Sequence, residues 1–145
     1  MHVLEENFIR SLMLLESLTN KIVARFHELN VTDDEFKHKH VAYSDLHTTL
    51  CHNAIFQARK LYEGQLRDGL SETEWLKLKR LREEITHARD VDSQNIRIIA
   101  DLNSELIPIL NKLSHSIFRK YDIENDENFD SFSKVYSEDI DKLWK

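Results

Sequence analysis

Hydrophobic residues recur every three or four positions along most of this chain, which is the period of an α-helix rather than of a β-strand. The first such stripe predicts a helix over residues 2–29, and it consists of Leu4, Phe8, Leu12, Leu15, Ile22, Phe26 and Leu29. A second helix is predicted over residues 32–63, where Thr32 and Glu35 have the spacing of a capping box and Gly64 is a suitable stop. Its apolar face is formed by Phe36, Tyr43, Leu50, Ala54 and Leu61.

The third predicted helix begins at a second capping box, in which Ser71 is the cap and Glu74 reaches back to it. Trp75 stands at the start of this helix. Its apolar face is formed by Leu78, Leu81, Ile85 and Ala88. The pattern predicts that the helix ends near Arg89 or Asp90.

A last long helix is predicted over residues 103–121, with an apolar stripe formed by Leu106, Leu110, Leu113 and Ile117. Pro108 favours a start near residue 103, because proline is tolerated in the first turn of a helix and disrupts its interior. The preceding residues 96–102 have no clear period. The acidic segment 122–145 is predicted to be a solvated tail, in which residues 137–144 have the pattern of a short docking helix.

These elements together predict an all-α protein. Residues 1–121 are expected to form an antiparallel four-helix bundle, and the acidic C-terminal tail 122–145 is expected to add a short helix. A chain of 145 residues is suited to one domain rather than two. It contains two glycines and one proline, so it lacks the turn residues that an all-β fold needs at regular intervals.

Charge and cysteine content restrict the classes of function. The formal net charge of −6 argues against broad affinity for nucleic acid, although it permits a local basic site. The single cysteine, Cys51, cannot form an internal disulfide, which is typical of a reducing compartment. The first residues are acidic where a signal peptide is basic, and no apolar run approaches the roughly 18 residues of a membrane helix. We therefore expect a cytoplasmic protein with no membrane partner.

The third predicted helix carries a local cluster of basic residues, formed by Lys77, Lys79, Arg80, Arg82 and Arg89. His87 follows Arg82 by five residues, about 140° around the helix axis. An imidazole can pass protons to or from a ribose hydroxyl or a leaving oxygen, and a guanidinium can hold a phosphate and stabilise its developing charge. Glu83 lies one turn before His87 and would orient the imidazole. These residue types suit phosphodiester cleavage that needs no metal and no cofactor.

The hexapeptide REEITH, which runs from Arg82 to His87, resembles the R-x4-6-H motif of the HEPN superfamily. Residues 88–90 are similar to the short basic-acidic segment that follows the histidine in the abortive-infection branch, and the resemblance in helix order covers residues 32–121. It implies a helical homodimer whose paired motifs line one cleft, and a ribonuclease in which the ribose 2′-hydroxyl attacks the neighbouring phosphate. Arg82 would then bind the phosphate, and His87 would be the acid or base.

Two positions depart from the family pattern. Glu83 stands where the family often has Asn, Asp or His, and its charge would need pairing with His87 or Arg80. Arg89 stands where one branch has a modifiable tyrosine, so regulation through such a tyrosine is not expected. Arg80 also satisfies the longer spacing to His87, so the phosphate ligand is either Arg80 or Arg82.

The resemblance implies a toxin or defence protein that acts on RNA and has a protein antitoxin or regulator as a further partner. The alternative is a non-enzymatic helical interaction protein, such as an antitoxin, an inhibitor or an assembly subunit. In that case the charged residues of the third helix form a solvated face with ion pairs, as most such charge runs do.

Two further groups of residues have a functional and a structural interpretation. His40, His47 and Cys51 lie along one side of the second predicted helix and could bind zinc with a ligand from elsewhere, but a packed, hydrogen-bonded His47 is the favoured interpretation. Trp75 and Trp144 are expected to be core or docking anchors rather than platforms for nucleic-acid bases.

Overall fold

Every regular element that the computed structural model describes is a helix, which confirms the predicted all-α class. The structure describes residues 1–29, 41–64, 66–92, 96–123 and 127–144. Within these ranges it describes the backbone alone at residues 26, 41, 44, 87–92, 96–103 and 128. No helix among the described residues combines the length and the apolar character that crossing a membrane requires.

Five helices follow one another along the described parts of the chain. They are α1 (Val3–Leu29), α2 (Val41–Glu63), α3 (Glu72–Asp92), α4 (Ile96–Tyr121) and α5 (Glu127–Leu143). The boundaries of α1 agree with the prediction, and so does the end of α2. The capping box predicted from Thr32 and Glu35 lies outside the described residues.

The start of α3 is held by the reciprocal hydrogen bonds that the sequence predicts. The Ser71 amide donates to Glu74 Oε1 at 2.9 Å, and the Glu74 amide donates to Ser71 Oγ at 3.2 Å. The Lys112 ammonium on α4 donates to the same carboxylate and, with the Ser71 bonds, holds the pKa of Glu74 below its ordinary value. The capping box therefore also ties the first turn of α3 to α4.

The start predicted for α4 is wrong, because this helix begins at Ile96 and Pro108 lies in its interior. Pro108 is exposed, whereas the apolar residues around it are buried, namely Leu106, Ile109, Leu110 and Leu113. Burying each such side chain contributes about 1.5–3 kcal/mol, which together offsets the roughly 3 kcal/mol that an interior proline costs. The helix ends before Asp122, whose φ of 49° is in the left-handed region that commonly follows a helix.

The first four helices share one hydrophobic core. They contact each other in the pairs α1–α2, α1–α4, α2–α3, α2–α4 and α3–α4. Fully buried side chains in this core include Phe8, Leu15, Ile55, Leu61, Leu78, Leu81, Leu106, Leu110 and Leu113. Because α2 contacts each of the other three core helices, one of its edges lies directly against α3.

A buried carboxylate joins the start of α1 to the end of α4. Glu5 has no exposed surface, and it accepts hydrogen bonds from Tyr121 Oη at 2.7 Å and from Lys120 Nζ at 3.4 Å. A buried charge is tolerated only when it is paired and hydrogen-bonded. Its place in the first turn of α1 is also favourable, because the N-terminal end of a helix dipole is positive.

The C-terminal region is more helical than predicted, since α5 extends well beyond residues 137–144 at its N-terminal end. Trp144 is a docking anchor, as expected, and its Nε1 donates to Ser17 Oγ on α1 at 2.8 Å. Ile140 is buried, and the Phe129 ring meets Phe118 of α4 edge-on, with the ring centroids 5.5 Å apart. These contacts attach α5 to the outside of the core.

Candidate functional site

The buried face of α3 determines where its charged side chains point. Trp75, Leu78, Leu81 and Ile85 are buried in the shared core. The basic residues between them are therefore sorted onto the two flanks of the helix. At 100° per residue, Lys79 and Arg82 share one flank, whereas Lys77 and Arg80 share the other. The predicted basic cluster is thus two groups rather than one.

Arg80 lies on the flank that faces α4, where it is already neutralised. Its Nε lies 3.3 Å from Glu84 Oε1 on the next turn, and its Nη2 lies 3.3 Å from Glu105 Oε2 on α4. Two carboxylate partners offset the charge of this guanidinium, so it attracts a further anion less strongly than an unpaired guanidinium does. Arg80 is therefore a paired surface arginine.

Arg82 lies on the opposite flank, beside α2. Thr86 Oγ1 donates to the Arg82 carbonyl oxygen at 3.0 Å and lies 3.0 Å from Nε2 of His52 on α2. Because the single hydroxyl proton of Thr86 is used in the first bond, Nε2 of His52 is the donor in the second. The Arg82 side chain is exposed, and it forms no ion pair with any other side chain that the structure describes.

A stack of aromatic rings continues this flank toward the start of α3. The Trp75 and Tyr62 rings stack with centroids 4.6 Å apart. His52 near the middle of α2 meets Thr86 late in α3, and Tyr62 at the end of α2 meets Trp75 at the start of α3. The chain directions of α2 and α3 are therefore opposite along this contact. We call the surface along this contact the α2–α3 edge, and it consists of His52, Arg59, Lys79, Arg82 and Thr86.

Two cations of the α2–α3 edge lie against the Trp75 ring. Arg59 Cζ is 5.6 Å and Lys79 Nζ is 5.3 Å from the centroid of the ring. Arg59 also forms an ion pair with Glu63 at 3.7 Å. The face of the Trp75 ring attracts these cations. Trp75 is only 9% exposed, so it does not itself offer a surface to a ligand, as the sequence predicts.

His87 and Arg89 lie within the bounds of α3, but their side chains lie outside the described residues. The expected contact between Glu83 and the His87 imidazole is therefore outside them as well. Glu83 itself is exposed. Helix geometry places the Cα atom of His87 about 7.5 Å further along the axis than that of Arg82 and about 140° around it. In angle, His87 lies within about 20° of Arg80, which precedes it by seven residues.

His52 is the member of this site that the sequence pattern does not indicate. It lies on α2, far along the chain from the motif helix, and it is half-buried beside Thr86. Only the pairing of α2 with α3 brings the two residues together. A weak signal exists in the repeat of the polar or charged residues His52, Arg59 and Glu63 along one side of α2.

The His47 and Cys51 pair is buried in the core. The Cys51 sulfur lies 3.7 Å from His47 Nδ1, and both residues are almost fully buried. Burial lowers the pKa of His47 to about 4 and raises the pKa of the Cys51 thiol to about 12. His40 lies outside the described residues, and within the described ranges no three or more His, Cys, Asp or Glu side chains are grouped to hold a metal.

No family model matches this chain, and neither a curated protein nor a solved structure matches it. Function is therefore inferred from the side chains. The α2–α3 edge combines an exposed guanidinium, an imidazole, a hydroxyl and two further cations. The exposed guanidinium can bind a phosphodiester, whereas the Thr86 hydroxyl is already bonded to the Arg82 carbonyl oxygen and to His52.

Proposed function

We propose that the protein is a metal-independent endoribonuclease of the HEPN type with a toxin or defence role. Arg82 binds the scissile phosphate, and His87 acts as the acid or base. Lys79 and Arg89 bind the neighbouring phosphates of the RNA backbone.

The proposal also includes a homodimer in which the α2–α3 edges of two subunits lie near each other, and an antiparallel arrangement of the helices α1 to α4. Opposite chain directions in α2 and α3 support that arrangement.

The observation that carries the proposal is the difference between Arg80 and Arg82. Arg80 has two carboxylate partners, whereas Arg82 is exposed beside His52 and Thr86 and pairs with no described acidic group. An exposed guanidinium that pairs with no carboxylate is available to bind an anion, and Lys79 lies one helical turn before Arg82. A backbone phosphate supplies that anion and accepts two parallel hydrogen bonds.

The proposed reaction conserves atoms without any added reagent. The ribose 2′-oxygen attacks phosphorus, the bond from phosphorus to the 5′-oxygen breaks, and the products carry a 2′,3′-cyclic phosphate and a 5′-hydroxyl. One proton leaves the 2′-hydroxyl and one reaches the 5′-oxygen. His87 performs one of these transfers, the other proton is exchanged with water, and Arg82 stabilises the charge on the non-bridging oxygens.

A cleavage assay on purified protein tests the assignment. Arg82→Ala and His87→Ala are each expected to lower the rate at least about 100-fold, which is typical of losing a charge-stabilising or proton-transferring group. Circular dichroism is expected to show unchanged helicity, because Arg82 is exposed. His115→Gln is the matched control, since His115 is exposed on α4. Wild-type protein without ribonuclease activity contradicts the proposal.

Arg80→Ala is the second control, and it also decides between the two arginines. If Arg82 is the phosphate ligand, Arg80→Ala keeps most of the activity and loses only the ion pairs with Glu84 and Glu105. Loss of cleavage in Arg80→Ala with normal cleavage in Arg82→Ala would transfer the role to Arg80.

The alternative function, a non-enzymatic interaction protein, is favoured by one observation. Leu46 and Phe56 are exposed on the solvent side of α2, at 37% and 54%. Expression in a bacterial host separates the two functions. A ribonuclease slows growth, and Arg82→Ala relieves this effect, whereas an interaction protein leaves growth unchanged in both forms.

A further inference from the structure

Phe56 is an aromatic side chain in an unusual position. It lies on α2, one helical turn after His52 and one before Lys60, and 54% of its surface is exposed. Lys60 Nζ lies 4.6 Å from the centroid of the Phe56 ring. Since the ring contributes little to the core, removing it is not expected to unfold the protein.

The surroundings of Phe56 are more basic than the chain as a whole, whose net charge is −6. On α2 the neighbouring cations are Arg59 and Lys60, and across the α2–α3 edge they are Lys79 and Arg82. Along residues 52–63 of α2 the acidic group is Glu63, which pairs with Arg59. Along residues 79–86 of α3 it is the exposed Glu83, apart from Glu84, which pairs with Arg80 on the other flank. Four cations and two carboxylates leave a positive excess around one accessible ring.

We propose that Phe56 is a stacking platform for an unpaired base of single-stranded RNA, whose phosphates are bound by Arg59, Lys60 and Arg82. This inference rests on the proposed ribonuclease function and specifies its substrate class. Aromatic rings bind single strands by stacking, and the charge of the backbone requires cations beside the ring. In a duplex the bases are stacked on each other, so the ring has no face to bind.

Charge complementarity favours RNA over an apolar protein partner as the occupant of this surface. An apolar protein partner would bury Lys60 and Arg82 together with Phe56, and desolvating cations without paired carboxylates is costly. An RNA strand pairs each cation with a phosphate and covers the ring with a base. The Lys60 ammonium, which now lies over Phe56, would move to the adjacent phosphate when a base takes its place.

The test measures binding by fluorescence anisotropy with a labelled single-stranded 12-mer RNA and with a hairpin duplex of similar length. Wild-type protein is expected to bind the single strand at least about tenfold more tightly than the duplex. Phe56→Leu is expected to lose about tenfold in affinity for the single strand, as removal of one stacking ring does, while Phe56→Tyr keeps it. Leu76→Ala, at another exposed apolar residue, is the matched control.

A second probe isolates stacking from charge. In an oligonucleotide with abasic positions, the difference between wild type and Phe56→Leu is expected to disappear, because no base remains to stack. A persistent difference would overturn the platform. Equal affinity of Phe56→Leu and wild type for the intact strand would also overturn it. If Phe56→Leu in addition sediments as a monomer where wild type sediments as a dimer, Phe56 lies at a subunit contact and not at an RNA site.

Failure of this inference is distinguishable from failure of the proposed function. RNA that binds through Phe56 but is not cleaved supports the platform and contradicts the nuclease. RNA that is cleaved with the same KM by wild type and Phe56→Leu supports the nuclease and contradicts the platform.

Discussion

Two arginines on one helix, two residues apart, have opposite surroundings in this protein. Arg80 is held between Glu84 and Glu105, and Arg82 is exposed beside Thr86. Sequence spacing permits either arginine in the motif, because both precede His87 by a suitable distance. Part of the distinction is local, because Glu84 lies one helical turn after Arg80. The other part depends on Glu105, which is distant in sequence and reaches Arg80 only through the packing of α3 on α4.

At the same scale, His47 makes the stability of the fold depend on pH. Its pKa in the folded protein is about 4, against an ordinary value of 6.5, because burial disfavours the charged imidazole. Between these values the unfolded chain binds a proton that the folded chain does not. The free energy of unfolding is therefore unaffected by this group above pH 6.5 and decreases as the pH falls toward 4.

Urea unfolding at pH 8 and at pH 5 measures this contribution. His47 is expected to lower the free energy of unfolding by about 2 kcal/mol at the acidic pH. In His47→Leu this part of the decrease is expected to vanish, whereas His115→Gln, at an exposed histidine, is expected to retain it. An equal decrease in wild type and His47→Leu would show that the imidazole is not buried in its neutral form.

At the scale of the elements, the connection between α2 and α3 is held by close packing rather than by an unusual backbone. A Cβ atom at Gly69 would lie 2.6 Å from Leu113 Cδ1 on α4 and 3.1 Å from the Leu66 carbonyl oxygen. At Gly64 a Cβ atom would meet only the Lys60 carbonyl oxygen, at 3.2 Å. Neither glycine has a positive φ, so an alanine is not strained at the backbone.

Gly69→Ala is therefore expected to lower the free energy of unfolding by about 1–3 kcal/mol, as overpacking of a close contact does. Gly64→Ala is expected to be nearly neutral, because the smaller entropy of its unfolded chain offsets the tighter contact. Chemical denaturation of both variants measures the difference. If Gly64→Ala is the more destabilised variant, the close approach of this connection to α4 is not what requires glycine.

Local chemistry explains which elements the sequence predicts well. The Ser71 and Glu74 capping box lies within four residues, so the start of α3 is visible in the sequence. The start of α4 is not visible in the sequence. Pro108 predicts a helix start near residue 103, but the burial of apolar residues on both sides of Pro108 stabilises a helix that begins earlier. The N-terminal end of α5 depends on contacts such as that of Phe129 with Phe118 on α4, which no local pattern reports.

The candidate site is only partly visible in the sequence. The basic residues and the motif spacing are properties of one helix, and periodicity alone separates Arg82 from Arg80 on its surface. The participation of His52 requires the register of α2 against α3, which is set by the burial of residues such as Ile55 and Leu78. The residue pattern of either helix alone does not reveal that register.

For the whole molecule, the distribution of charge matters more than its sum. The chain is acidic overall, and exposed carboxylates are frequent on α5, where they include Asp130, Glu138, Asp139 and Asp141. The α2–α3 edge has the opposite balance. Such separation allows one local surface to attract an anion while the rest of the protein repels nucleic acid, which suits an enzyme that engages RNA at one site and not along its length.

The central claim is that the protein cleaves RNA by attack of a 2′-hydroxyl, without a metal, with Arg82 on the phosphate and His87 as the acid or base. The most direct measurement uses a short RNA in excess EDTA, a matched RNA with a single 2′-deoxy nucleotide at the cleaved position, and mass spectrometry of the products. We expect cleavage of the RNA to a 2′,3′-cyclic phosphate and a 5′-hydroxyl, and no cleavage at the substituted position. Cleavage at the 2′-deoxy position, or loss of all cleavage in EDTA, would contradict the account.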